Sequence, residues 1–308
     1  MLKHVPKFLV ASVLVAGVAL AGNSPPGIMF STLLDNVKMQ SGTGYFMIDN
    51  KLQAVFIPDK SSGSILLSKA DGAKLYRYDW EGELIKQPYV RLAIKGTTDL
   101  KKGEKVYDYP VLGVGDYVLD FFLGEDRFYT YPFSVSKKAS PDPFLGGDLF
   151  FLEGAWSDWS YLYYSNADPE KNLIWKVWLR HQSHEVVRKD ADIHIEIIGG
   201  KGKKKKVLCQ SRPNKSYSLP RDWARFSFDM VNPPVKTSGG EYFKAKDLLA
   251  KDGKYTLVMK LDGKAYGKWK FEVKGGKLQY TGLTERGKAD PLTFIEGGRD
   301  AWWYRKGN

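Results

Sequence analysis

Set against itself, the chain repeats. Gly115-Asp116-Tyr117-Val118-Leu119 aligns with Gly253-Lys254-Tyr255-Thr256-Leu257, an offset of 138 residues, and the match runs without a gap to Phe133-Ser134-Val135 against Phe271-Glu272-Val273. A second pair of strings follows. Phe151-Leu152-Glu153-Gly154 and Phe294-Ile295-Glu296-Gly297 each lead into an aromatic cluster, Trp159-Ser160-Tyr161 and Trp302-Trp303-Tyr304. Upstream, Tyr89-Val90-Arg91-Leu92 resembles Trp223-Ala224-Arg225-Phe226. The period is far above that of solenoid and propeller repeats, so each copy is expected to be a self-contained domain. Asp168-Pro169 interrupts the pattern and places the boundary near residues 166–172, giving domains over 22–168 and 169–308.

Each copy reads as strands. Tyr255-Thr256-Leu257-Val258-Met259-Lys260-Leu261 ends on Asp262-Gly263, a pair that makes a tight hairpin turn because Gly takes positive φ freely. The next run then sets Trp269, Phe271 and Val273 toward the core and Lys268, Lys270 and Glu272 toward water. No long helical period appears, although Lys246 to Lys251 suits a single turn. Asp252-Gly253-Lys254-Tyr255-Thr256-Leu257 is similar to the tyrosine corner of immunoglobulin-like sandwiches, in which a Tyr opening the penultimate strand hydrogen-bonds back to the preceding turn. Leu257 stands where antibody domains carry cysteine. The resemblance spans about 90 residues per copy. It implies an all-β chain of two tandem immunoglobulin-like β-sandwich domains related by internal duplication, each with a C-terminal extra segment.

Nine Trp, 18 Tyr and 16 Phe supply enough large apolar surface for two such cores. Cys209 is the only cysteine, so no intrachain disulfide is available and packing must hold the fold. Lys3 and Lys7 precede an apolar run from Phe8 to Leu20 and then Ala19-Leu20-Ala21, the small-x-small pattern of a cleaved secretory signal, read here as residues 1–21. That run has 13 residues, short of the roughly 20 that span a bilayer. The mature chain is therefore expected to be periplasmic, cell-surface or extracellular, with no transmembrane segment.

Charge divides the copies. Residues 22–168 carry 15 Lys and Arg against 19 Asp and Glu, a net of −4, whereas residues 169–308 carry 30 against 16, a net of +14. Net charge governs steering and association rather than fold, so the second copy is the one suited to an anionic partner. Its densest feature is Gly199-Gly200-Lys201-Gly202-Lys203-Lys204-Lys205-Lys206, expected at a hairpin tip between strands at 193–198 and 207–209. Such lysines attract phosphate, sulfate or uronate as point charges but lack arginine's bidentate geometry. They equally suit a solvated tip that protects a sheet edge. The chain carries no nucleic-acid-binding motif.

The aromatic clusters admit two readings. Trp302, Trp303 and Tyr304, flanked by Arg299 and Arg305, could stack on the rings of acidic sugars if exposed. They could equally pack the tail onto its domain. Asp190, Asp192 and His194 would share one strand face, and His181 and His184 lie nearby, which is a thin basis for a metal site. Glu153 and Glu296 occupy matching positions in different copies, unlike the two acids about 5–10 Å apart that a glycosidase needs. No nucleophile elbow, phosphate-cradling loop or zinc-protease motif is present, and no motif implies a cofactor. Cys209 sits in a strand pattern that suits a buried thiol. The expectation is a non-catalytic exported binding or scaffold protein whose second domain meets an anionic envelope or extracellular polysaccharide. A structural subunit of an envelope assembly and a glycan-active hydrolase are the alternatives.

Overall fold

The structure is a computed structural model and describes residues 26–141, 147–164, 168–200, 205–213, 216–234, 240–279 and 301–307. The first stretch runs β1 (Gly27–Ile28), α1 (Phe30–Asn36), β2 (Val37–Gln40), β3 (Tyr45–Ile48), β4 (Gln53–Val55), β5 (Ser62–Lys69), β6 (Lys74–Lys86), β7 (Tyr89–Asp99), β8 (Glu104–Val106), β9 (Gly115–Leu123), β10 (Asp126–Lys138), β11 (Leu149–Glu153) and α2 (Ala155–Asp158). Then come β12 (Trp159–Tyr163), β13 (Ile174–Leu179), β14 (Arg188–Gly199), β15 (Lys206–Ser211), β16 (Ser216–Pro220), β17 (Ala224–Val231), α3 (Ala245–Leu249), β18 (Gly253–Leu261), β19 (Lys264–Lys274), β20 (Lys277–Gln279) and β21 (Ala301–Gly307). The chain is all-β, as its alternation predicts. The expected turn near Lys246 is α3.

The first sheet is an open half-barrel in the order β1-β4-β7-β6-β5-β9-β10-β11, with β8 on β7. The second runs β15-β17-β13-β12-β21-β19-β18-β14 and closes on itself because β14 also pairs β15, while β16 and β20 add to its margins. It is thus one closed barrel rather than two facing sheets. An eight-stranded ring leaves an interior that side chains fill. Trp175, Trp269, Phe228, Phe271 and Tyr304 fill this one, with Trp175 edge-on to Trp269 at 5.3 Å.

The repeated hairpins have the same pairing. Tyr117 faces Phe133 and Tyr255 faces Phe271, with each ring pair stacked at 5.5 Å. Both ladders slip at the same place: Phe121 faces Tyr129 but Phe122 faces Arg127, and Met259 faces Gly267 but Lys260 faces Ala265. The bulged residues, Phe128 and Tyr266, are therefore equivalent. Each tyrosine hydroxyl also reaches back four residues, Tyr117 donating to the Gly113 carbonyl at 2.9 Å and Tyr255 to that of Lys251 at 2.5 Å. Tyr117→Phe and Tyr255→Phe are each expected to lower stability by about 1 kcal/mol, read from denaturant unfolding. A loss in one copy alone would show that the two corners are not doing the same job.

Outside the hairpins the two sheets differ. β12, expected at the tail of the first domain, hydrogen-bonds into the barrel between β13 and β21. The expected boundary near 166–172 thus falls between two adjacent strands of one sheet. The two aromatic clusters, equivalent in sequence, lie side by side: Tyr161 faces Trp303 and Leu162 faces Trp302. Because β12 carries no charged side chain, this reassignment leaves the charge contrast almost unchanged.

The half-barrel closes over the outer wall of the barrel, with α1 held between them. Phe30, Leu33 and Leu34 of α1 share a core with Phe121, Tyr131 and Phe133 of the half-barrel and with Trp159, Tyr161, Trp178 and Trp303 of the barrel wall. On that wall, alternate residues face opposite cores. Trp302 and Tyr304 point into the barrel while Trp303 points out, and Trp175, Val177 and Leu179 point in while Trp178 points out. A strand buried on both faces reads as a continuous apolar run instead of an alternation. The spacing of Phe30, Leu33 and Leu34 is that of one helical face, a sign of α1 that was available in the sequence. Among the described residues, no helix is long and apolar enough to cross a membrane.

Candidate functional site

Of the lysine run, Lys201, Lys203 and Lys204 lie outside the described residues, as do Arg299, Glu296 and residues 1–21. Lys205 and Lys206 are exposed where β15 begins, and Lys206 faces Gly199 across the β14–β15 hairpin, the place expected for them. Trp302, Trp303 and Tyr304 do not form a sugar platform. They are 6%, 2% and 0% exposed, because β21 is walled in by the barrel interior on one side and by the half-barrel on the other. Arg305, the next residue, is exposed and pairs with Asp158 at 3.0 Å.

Beside Arg305 a cleft of about 460 Å³ opens at the end of β21, lined by Ser157, Asp158, Tyr266, Lys268 and Lys306 among others. Its geometry follows from the bulge in β18–β19, since a bulged residue is re-aimed relative to the ladder. Tyr266 is that residue, and the Lys306 ammonium sits 4.0 Å from its ring centroid. Gly267 makes the approach possible. A Cβ there would lie 2.7 Å from Lys306 Cε and 2.9 Å from the Trp269 ring. Burial lowers the Lys306 pKa below the ordinary lysine value, opposed by Asp158, and burial raises that of Tyr266. A partly desolvated ammonium against a ring face is a point charge short of counter-charge. An anionic group entering the cleft beside Lys306 would supply it.

The cleft belongs to a wider basic surface. Lys254 and Lys260 of β18 and Lys264, Lys268, Lys270 and Lys274 of β19 are exposed. Sequence reasoning finds the lysine face of β19 but not the role of Lys306 and Tyr266, because their meeting depends on β21 pairing β19, with Lys268 facing Gly307 and Trp269 facing Lys306.

The other constellations resolve into structure. Glu153 accepts from Ser136 Oγ and from Arg180, both at 2.6 Å. The gap beside Arg180 and Asp222 is about 10 Å³, room for at most one water. Burial raises the Asp222 pKa, against the hydrogen bond it accepts from the Ser41 amide. His181 Nδ1 accepts the Ser183 amide at 3.1 Å, which leaves Nε2 to donate to the Val187 carbonyl at 3.0 Å. Asp190, Asp192 and His194 do share a strand face, and His194 meets Glu196 at 3.1 Å. Among the described residues, no three His, Cys, Asp or Glu side chains gather closely enough to hold a metal ion. Cys209 is buried, and burial pushes its thiol pKa well up. A buried thiol of that kind is inert.

No family model and no curated protein matches the chain. What it does is read from these side chains alone.

Proposed function

We propose that the protein is a non-catalytic exported binding or scaffold protein whose barrel contacts an anionic polysaccharide or similar envelope polymer. One observation carries this reading. Exposed lysines of β18 and β19 give the barrel a basic outer face, and Lys268 and Lys306 both line the cleft that holds Tyr266. A polymer bearing repeated carboxylates or sulfates would track such a face by charge, with the tyrosine ring offering one stacking surface. The Lys203 to Lys206 run extends the same sign of charge. Export rests on the pattern of residues 1–21.

The protein is expected to be retained on heparin-like resin and released by moderate salt. Each lysine against an anionic surface contributes about 1 kcal/mol, so replacing both Lys268 and Lys306 by Ser should weaken binding roughly 30-fold. Retention that ignores both substitutions, or none at low salt, would sink the proposal.

We infer also that the two hairpins are copies of one immunoglobulin-like unit, duplicated in tandem and then diverged. Their common register, common bulge and common tyrosine corner support it.

A further inference from the structure

The half-barrel carries a second cleft, also about 460 Å³, between the β2–β3 ribbon, β7 and the segment following β8. Its chemistry is unlike that of the basic cleft. Met47, Ile48 and Ile94 line it with apolar surface, and Asp49 and Asp108 add carboxylates. Among the described residues Lys38 is the one cation lining it, and it is paired with Asp49 at 3.7 Å. Two tyrosines at its rim are left to solvent, Tyr107 at 97% exposed and Tyr109 at 58%. Tyr78, 4% exposed, also lines the cleft, and its hydroxyl is buried with no hydrogen-bond partner.

Exposed tyrosine rings beside a concavity present stacking faces. Carboxylates accept hydrogen bonds from hydroxyl groups and repel anions. A ligand that fits all of this has an apolar ring face, several hydroxyls and no negative charge.

We propose that this cleft binds an uncharged sugar ring, one unit or the end of a neutral oligosaccharide. Tyr107 and Tyr109 stack on the ring, and Asp49 and Asp108 accept from its hydroxyls. The site is independent of the basic face of the barrel.

The test is calorimetric titration of the full chain with neutral cello-, malto-, manno- and chito-oligosaccharides, an acidic uronate oligosaccharide and a proline-rich peptide. At least one neutral sugar should bind at millimolar or lower concentration, insensitive to salt. Tyr107→Ala and Tyr109→Ala should each weaken it about tenfold. Substituting Lys268 and Lys306 by Ser should leave sugar binding intact, which separates this site from the polymer-binding face. The proposal is overturned by silence across the neutral panel, by binding that tolerates Tyr107→Ala, or by a cleft that takes the uronate or the peptide instead.

Discussion

Trp303→Ala is expected to destabilise the protein by about 3–5 kcal/mol, about a fifth or more of what a typical chain has to lose. The ring is 2% exposed and packs against Phe30 at 5.2 Å, Tyr161 at 4.5 Å and Trp178 at 5.8 Å. These partners belong to α1, β12 and β13, so one side chain ties the helix of the half-barrel to the wall of the barrel. Truncation removes the transfer free energy of an indole and leaves a cavity that three rigid rings cannot close. Denaturant unfolding checks this. A loss below about 1 kcal/mol would mean that the Trp303 face is open after all, and the sugar-platform reading of that cluster would return.

Arg180→Met is expected to cost about 3 kcal/mol. The guanidinium lies between the rings of Phe151 and Trp223, with centroids at 4.6 and 4.3 Å. It donates to the Leu152 carbonyl at 2.9 Å and to Glu153 at 2.6 Å. Burial lowers the arginine's pKa and Glu153 raises it back, so the pairing offsets part of the cost of burying the charge. Without it, the end of β11 loses its link to β13 and Glu153 loses its cation. The Glu153 side chain is 34% exposed, so water screens part of the damage. Arg180→Lys keeps the charge but not the planar stack or the second donor, and should recover less than half. Removing Glu153 as well should restore about 1–2 kcal/mol in a double-mutant cycle. Additive losses would show that the pair is not coupled.

Local chemistry wrote the hairpins plainly. Asp262 and Gly263 both take positive φ, at 49° and 73°, the turn that the pair predicts. Tyr255, Leu257, Met259, Trp269, Phe271 and Val273 are buried while Lys254, Lys268 and Lys270 are exposed, as period-two alternation requires. The lysine face was legible for the same reason. The half-barrel cleft was not, because Tyr78, Asp49 and Tyr107 come from separate segments with no shared pattern.

By itself, the sequence determined the strands, their turns, the Tyr255 corner and the charge contrast, all of which depend on neighbours within a few residues or on composition. Only the tertiary structure decided that β14 closes a barrel through β15, that β12 joins the barrel and not the half-barrel, and that Trp302, Trp303 and Tyr304 lie between two cores. A run of aromatics records that a strand is apolar on both faces. It does not record whether the second face meets solvent, a sugar or another sheet, since that is settled by pairing between strands far apart along the chain.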